Sequence, residues 1–269
     1  MTVTDRRLTP DVPAGTSGTP MRLAAGITAL RPRPGTDAGI DTEVIFGEAL
    51  TLFDEMEGWS SVQALRDGYV GWLPSVSLEP AGAPATHRVS VLRSYVYAGP
   101  SIKVPDPILA PQGAQLCVTR FEKDFAVLDR GGYVYGAHIA PVAEKAADFV
   151  SVAEAYIGTP YLWGGRTSVG LDCSGLLQTA LREAGIAAPR DSDMLERFLP
   201  QSLPVTPDLS GLKRGDAVFW KGHVGVMRDS TTLLHANGHH MMVASEPLRE
   251  AAERILTKSF GPITSIKRL

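Results

Sequence analysis

Cys173 and two histidines, His223 and His235, are the residues whose types and spacing suggest nucleophilic chemistry. Asp172 stands directly before an apolar helical pattern and is a good N-cap, which puts Cys173 in the first turn of a helix. Helix-start amides and the macrodipole favour negative charge, so we expect this position to lower the pKa of the thiol. The accessible backbone at residues 174–175 is expected to offer amides that stabilise an oxyanion.

The two histidines stand on successive strand-like segments, HVGVM and TTLLHAN. Adjacent antiparallel strands bring such residues side by side, so we expect His235 to hydrogen-bond His223 and select its tautomer. A cysteine at a helix start that faces a histidine on a sheet is the papain arrangement, which is defined by geometry and not by chain order. We therefore predict Cys173 as the nucleophile, His223 as the general base and His235 as the third polar residue.

Each of these residues also has an ordinary structural interpretation. A lone cysteine in a helix is usually part of a core, and a lone histidine in a strand is usually a satisfied polar group. Cys173, however, is flanked by polar Asp172 and Ser174 at a helix start, and the combination favours catalysis. Cys117, in the apolar run QLCVTRF, is predicted to be a small buried side chain.

Two other kinds of site are disfavoured by their patterns. His235, His239 and His240 could hold zinc, but no thiolate or carboxylate completes a familiar spacing, and Asn237-Gly238 is typical of a hairpin turn. The WGGRTSVG segment lacks the phosphate-loop lysine and the dinucleotide glycine pattern. We expect no metal and no organic cofactor.

The pattern of predicted strands and helices divides the chain into a strand-rich part and an α+β part. We predict a mobile tail or draped arm over residues 1–20, small barrels over 21–80 and 86–143, and an α+β domain over 145–269. An internal repeat, 58–78 against 124–142, supports two similar barrels, with tight glycine turns at 67–68 and 131–132. In the third domain we expect helices over 143–158 and 172–185, followed by an antiparallel meander from residue 216 to 246.

Composition excludes some classes of partner. A formal net charge of −3 over 269 residues argues against nucleic acid, whose binding normally needs a basic surplus. The first twenty residues contain no apolar run of the secretory kind, and no stretch approaches a membrane span. We expect a cytoplasmic protein with no membrane partner.

The motifs of residues 145–255 resemble the NlpC family of papain-like cell-wall peptidases. The resemblance rests on Tyr-x-Trp-Gly-Gly, Asp-Cys-Ser-Gly and Gly-Asp-x-x-x-Trp before His-x-Gly. The strand-rich part looks like bacterial Src-homology-3-like barrels. Carried over by position, the resemblance implies that Tyr161 presents its hydroxyl to the active site, and that Asp172, Ser174 and Ser192 contact the substrate. Asp172 could also be merely a helix cap, Ser192 merely a loop hydroxyl, and Tyr161 a core aromatic.

The barrel-bearing subgroup resembles dipeptidyl-peptidases that cut the γ-D-glutamyl–L-diamino acid bond of murein peptides with a free N-terminal L-Ala. This implies the substrate L-Ala-γ-D-Glu-diamino acid and a role in recycling imported peptides. A carboxylate would be needed to bind the amine, and Glu48 is the first candidate, with Tyr69 as a wall or hydroxyl beside it. The competing carboxylates are Asp54, Glu55 and Glu57. Three alternatives stay open: an endopeptidase acting on intact cell wall, a non-catalytic peptidoglycan-binding protein, and a related amidase or acyltransferase.

Overall fold

The computed structural model describes residues 5–13 and 15–269, and the chain forms two compact units that divide after Glu144. The part of the tail prediction that falls on residues 1–4 and 14 lies outside the described residues. No helix within the described residues is long and apolar enough to cross a membrane.

The first strand-rich segment of unit 1 runs from residue 19 to residue 80. Its strands are β1 Thr19–Leu23, β2 Ile27–Leu30, β3 Thr42–Ile45, β4 Ala49–Met56, β5 Trp59–Ala64, β6 Val70–Pro74 and β7 Leu78–Pro80. Five of them form an antiparallel sheet in the order β6-β5-β4-β1-β7, and β2 pairs with β3. Alternating side chains such as Leu23, Leu50 and Leu73 fill one core between these strands.

Residues 5–13 lie against this segment, which agrees with the draped arm and not with the mobile tail that the sequence left open. The Arg7 carbonyl accepts a hydrogen bond from the Val70 amide at 2.8 Å. The Gln63 side chain donates to the Leu8 carbonyl at 3.0 Å, and Leu8 packs against the core. This part of the predicted tail thus has backbone partners that its composition does not reveal.

The second strand-rich segment of unit 1 runs from residue 87 to residue 141. Its strands are β8 His87–Val89, β9 Arg93–Val96, β10 Ile108–Pro111, β11 Gln115–Leu116, β12 Val118–Glu122, β13 Phe125–Leu128, β14 Tyr133–Tyr135 and β15 Ile139–Pro141. They pair as β10-β9, β11-β8-β15 and β12-β13-β14. Cys117, between β11 and β12, is half-buried instead of fully buried.

The internal repeat corresponds to the same succession of elements in both segments. In each, two paired strands are followed by a 3-10 turn and a closing strand, with the turns at Ser75–Ser77 and Gly136–His138. The closing strands β7 and β15 pair with the first strands of their segments, β1 and β8. In the turn of the second copy Gly131 and Gly132 both have positive φ, whereas in the corresponding turn at 67–68 only Gly68 does so. The two turns therefore differ in detail while the strand order is the same.

Unit 2 is built from short helices around a six-stranded antiparallel sheet. Its helices are α1 Phe149–Glu154, α2 Cys173–Glu183, α3 Ser192–Phe198 and α4 Leu248–Lys258. Its strands are β16 Arg166–Thr167, β17 Gly170–Leu171, β18 Gln201–Leu203, β19 Ala217–Trp220, β20 His223–Met227, β21 Thr232–Asn237, β22 Met242–Pro247 and β23 Ile263–Arg268. The sheet order is β18-β23-β19-β20-β21-β22.

Helix α1 is much shorter than the predicted 143–158. Asp148 stops the helix from starting earlier, because its side chain accepts from the Val150 amide at 2.9 Å and so forms an N-cap. Helix α2 agrees closely with its prediction and ends before Gly185, whose φ is +85°. Its apolar face, including Leu176, Leu177 and Leu181, is buried.

Helix α4 and strand β23, which no sequence pattern predicted, are both part of the core. Leu248, Ala251 and Ile255 of α4 pack with side chains from four strands of the sheet, Ile266 of β23 among them. Asp216, in the Gly-Asp-x-x-x-Trp motif, is fully buried and accepts two hydrogen bonds of 2.6 Å from Arg268. That motif aspartate therefore fastens the last strand to the sheet.

Candidate active site

Asp172 is the residue that organises the start of α2. Its Oδ1 accepts from the Gly175 amide at 2.6 Å, and its Oδ2 accepts from the Gly164 amide at 2.9 Å. It is therefore the N-cap that the sequence predicted, and it also ties the Trp-Gly-Gly loop to the helix. Because the cap occupies the Gly175 amide, the amides of Cys173 and Ser174 are the first-turn donors that the cap does not use.

The small residues of the two motifs are required by a close backbone approach. A Cβ at Gly175 would lie 2.2 Å from the Gly165 carbonyl oxygen, and one at Gly165 would lie 2.5 Å from the Gly170 carbonyl oxygen. Gly164 has a φ of +78°, in the left-handed region that favours glycine. The loop before α2 can therefore pass directly over the helix start and hold Cys173 in place.

Arg190, which no sequence motif indicated, completes this arrangement. It is fully buried and donates to Asp172 Oδ1 at 2.9 Å, to Asp172 Oδ2 at 2.6 Å and to Ser174 Oγ at 2.8 Å. Asp172 and Ser174, predicted as substrate contacts, are thus engaged in a buried ion-pair network. In the sequence, Arg190 is a single arginine at the end of the apolar stretch 184–189, a position that gives no local sign of a buried ion pair.

Cys173 is buried at the helix start, and its electrostatics differ from the expectation. Burial raises the pKa of its thiol to about 12, and the Asp172 carboxylate adds to this, while hydrogen bonds from the Val224 and Ser174 amides and the charge of Arg190 oppose it. The Ser174 amide at the helix start lowers the pKa of the thiol, as expected, but by less than the desolvation of a thiolate raises it at this position. The Val224 amide brings the thiol next to the strand that begins with His223.

His223 and His235 are directly hydrogen-bonded. Nε2 of His223 lies 2.8 Å from Nδ1 of His235, and both rings are buried. Gly225 leaves room for the side chains of the next strand, because a Cβ there would lie 2.7 Å from Leu233 Cδ1 and 3.2 Å from the Cβ of His235. Burial and the neighbouring His235 lower the pKa of His223 to about 3, so it is a neutral imidazole near pH 7.

Behind His235 lies a carboxylate that the sequence analysis also missed. Glu246 Oε1 is 2.8 Å from His235 Nε2, and Arg254 donates to both Glu246 oxygens at 2.5 and 2.7 Å. Burial raises the pKa of Glu246, but its hydrogen bonds to His235 and Arg254 outweigh this and bring the pKa to about 2. The polar chain therefore runs from His223 through His235 to an ionised carboxylate.

Aromatic rings enclose His223. The Phe260 ring stacks on the imidazole with centroids 5.2 Å apart and planes 4° apart, and the Trp220 ring lies 5.6 Å away.

Tyr161 is half-buried, and its pKa is raised by burial and further by Cys173 and Asp172, so it lies within electrostatic range of the thiol. Ser192 begins α3, two residues after Arg190.

The zinc interpretation has no support in the positions of the histidines. Both ring nitrogens of His235 are used, one by His223 and the other by Glu246. His240 Nδ1 lies 3.1 Å from the Asn237 side-chain oxygen, which also accepts from the amides of His239 and His240. Asn237 thus organises the turn before β22, and positive φ falls on Met241 instead of Gly238.

Glu48 and Tyr69, the candidates for binding the substrate amine, both lie in unit 1. Glu48 is buried, and its carboxylate accepts from Arg66 at 3.0 Å and from the Ile45 amide at 3.1 Å. Tyr69 is buried in the core of the first strand-rich segment and lines a cavity of about 820 Å³ there. The ion pair of Glu48 favours a structural role in unit 1, because its charge is already compensated.

Comparisons with known proteins agree with this geometry. Residues 158–258 match the NlpC/P60 family, and residues 30–78 match the bacterial dipeptidyl-peptidase Sh3 domain. A γ-D-glutamyl-L-lysine dipeptidyl-peptidase of Bacillus subtilis is 28% identical over 230 residues, which are 75% of this chain and 73% of that protein. A protein of the same name from Bacillus cereus is 25% identical over 242 residues, covering 78% and 71% of the two chains.

A solved structure shares the fold over nearly the whole chain. The crystal structure of an NlpC/P60 family protein from Bacillus cereus matches with a TM-score of 0.76, covering 93% of this chain and 99% of that one at 18% identity. Cys173, His223, His235 and the motif glycines described above all lie within residues 158–258, the region that matches the NlpC/P60 family. The chain therefore contains a catalytic domain of the NlpC/P60 family of cysteine peptidases, preceded by a Src-homology-3-like domain.

Proposed function

We propose that this protein hydrolyses the γ-D-glutamyl–L-diamino acid bond of murein peptides that have a free N-terminal L-Ala. The main support is the buried His223–His235 hydrogen bond of 2.8 Å beside the helix start that carries Cys173. The substrate class is supported by the two relatives named γ-D-glutamyl-L-lysine dipeptidyl-peptidases, which match over more than two thirds of their length.

In the proposed reaction, Cys173 is the nucleophile and His223 the general base. The resting pair is a neutral thiol and a neutral imidazole, so the thiol proton passes to His223 as sulfur attacks the γ-glutamyl carbonyl carbon. The amides of the first turn of α2 stabilise the oxyanion. His223 then protonates the departing α-amine of the diamino acid, which leaves a thioester of L-Ala-D-Glu on Cys173. Water, deprotonated by His223, hydrolyses that thioester and frees the thiol.

The other predicted site residues have supporting roles in this proposal. Tyr161 lies within electrostatic range of Cys173, so its hydroxyl is proposed to contact the reacting carbonyl or the substrate backbone. Asp172 and Ser174 act chiefly by holding the helix start through Arg190. Ser192, at the start of α3, remains a candidate substrate contact.

The strand-rich part is proposed to contain two Src-homology-3-like barrels, 21–80 and 86–143. The repeated succession of two paired strands, a 3-10 turn and a closing strand supports the second copy. Each segment also has a separate two-stranded pairing, β2 with β3 and β9 with β10. Recognition of the substrate amine by Glu48 and Tyr69 stays a prediction. The cytoplasmic location and the recycling role also stay predictions.

Mass spectrometry of reaction products tests the proposal. The protein is incubated with L-Ala-γ-D-Glu-meso-diaminopimelate, the corresponding lysine peptide, and the N-acetylated form of each. We expect release of L-Ala-D-Glu from the free-amine peptides only, and its loss in Cys173→Ala. Equal cleavage of the acetylated peptides would contradict the requirement for a free amine and favour an endopeptidase. That activity is named for a Mycobacterium tuberculosis relative that is 32% identical over 122 residues. An absence of cleavage would favour a different acyl substrate or a binding role.

A further inference from the structure

We infer that Glu246, held by Arg254, is a positioning residue that sets the direction of the hydrogen bonds through His235 to His223. In that direction, Nδ1 of His223 carries no proton and is free to receive one from Cys173. The inference rests on the proposed role of His223 as general base, and it extends the site by two residues that the motifs do not contain.

The sheet register explains why Glu246 reaches His235. In the β21–β22 pair, Leu233 is opposite Glu246, and His235 is opposite Ala244. His235 and Glu246 are therefore diagonal neighbours on one face of the sheet, a spacing within reach of long side chains. Leu233 packs against side chains of α4, so this face is turned towards the helix that carries Arg254.

The direction of the hydrogen bonds follows from what a carboxylate can do. Ionised Glu246 only accepts, so the proton between it and His235 belongs to His235 Nε2. A neutral His235 then has an unprotonated Nδ1, which accepts from Nε2–H of His223 across 2.8 Å. A neutral His223 that is protonated on Nε2 has its lone pair on Nδ1, as a general base for Cys173 requires.

Because Arg254 balances the charge of Glu246, Glu246 acts mainly by setting the direction of the hydrogen bonds and less by shifting the pKa of His223. It binds both oxygens of Glu246 and opposes the influence of the carboxylate on the pKa of His223, which Glu246 raises and Arg254 lowers. The other titratable groups nearby are His240, with Nδ1 3.8 Å from Glu246 Oε1, and Glu250, which acts on Arg254. The carboxylate therefore stays an acceptor, while its net charge is largely balanced.

The test is to locate the ring protons by two-bond ¹H–¹⁵N NMR spectroscopy of the full-length free protein near neutral pH. We expect both His223 and His235 to be protonated on Nε2 and not on Nδ1. In Glu246→Gln, the amide can donate to His235 Nε2 and reverse the chain, which would place a proton on His223 Nδ1. We then expect kcat to fall by about a hundredfold, the lower end of what positioned proton transfer contributes, with KM changed less than about twofold.

Two further variants separate positioning from general stability. Glu246→Asp keeps an acceptor-only side chain and is expected to keep the wild-type tautomers. Glu253→Gln neutralises an exposed carboxylate on α4, the helix that carries Arg254, and is expected to change nothing. A protonated Nδ1 on His223 in the wild-type protein would overturn the inference, even if Glu246→Gln failed to fold. Wild-type tautomers and an unchanged kcat in Glu246→Gln would also overturn it. Because the NMR measurement needs no substrate, it stands apart from the test of the proposed function.

Discussion

Replacing Arg190 with methionine is expected to be among the most damaging single changes in unit 2. Arg190 is fully buried and donates to both oxygens of Asp172, whose side chain is only 10% exposed. Methionine fills a similar volume but leaves the carboxylate buried without its cation. Removing one partner of a buried ion pair typically costs about 3–5 kcal/mol. We expect a loss of that size in the free energy of unfolding, because the Gly164 and Gly175 amides only partly compensate the charge.

Urea unfolding followed by tryptophan fluorescence measures this loss, and Arg197→Met is the matched control. Arg197 pairs with Asp193 on α3, but those side chains are 64% and 46% exposed, so the control is expected to lose about 0.5 kcal/mol or less. The double variant Asp172→Asn/Arg190→Met removes the buried charge while keeping a good N-cap, and it should be more stable than Arg190→Met alone. A loss in Arg190→Met no larger than that in Arg197→Met would refute the interpretation of this network.

Two other predictions concern the helix start. Gly175→Ala should disrupt folding of unit 2 or displace α2, because its Cβ would lie 2.2 Å from the Gly165 carbonyl oxygen, whereas Gly238→Ala has open space and should unfold at the same urea concentration as wild type. The ultraviolet absorbance of a thiolate, measured as wild type minus Cys173→Ala, should be absent from about pH 5 to about pH 10, because the pKa of Cys173 is raised to about 12 and that of His223 is lowered to about 3. A thiolate signal at neutral pH that vanishes in mild acid would instead mean that the resting site is a thiolate–imidazolium pair.

Local pattern was enough to locate the elements that carry the central residues. The helix predicted from residue 172 is observed as Cys173–Glu183, and the HVGVM segment is the strand His223–Met227 as predicted. Both segments combine a clear periodicity with clear boundaries, a capping aspartate in one and a glycine turn in the other. The hydrogen bond between His223 and His235 followed from the expectation that consecutive short strands pair.

The parts that sequence reasoning missed depend on contacts between distant residues. Arg190, Glu246 and Arg254 carry no local signal, because a single charged residue in a loop, in a strand or on a helix surface is usually solvated. They became recognisable only when the fold brought Arg190 to Asp172 and Glu246 to His235. The helix predicted over 143–158 was also too long. Helix propensity alone does not show that Asp148 is the N-cap, so that α1 begins only at residue 149.

The expected thiol chemistry was only partly right, because burial cannot be read from a motif. The helix-start position of Cys173 and its amide donors were predictable, but they favour the thiolate less than desolvation disfavours it. Glu48 illustrates the same limit, since its partner Arg66 is eighteen positions away. In both cases the sequence indicated an ionisable residue, but it did not show the burial or the partners that determine the charge of that residue.

The most direct test of the central claim is intact-protein and peptide mass spectrometry of an acid-quenched reaction with L-Ala-γ-D-Glu-meso-diaminopimelate. The proposed cycle predicts a transient L-Ala-D-Glu acyl group on the peptide that contains Cys173, and no such adduct in Cys173→Ser. An acyl group on another residue, or undiminished turnover by Cys173→Ser, would contradict the account.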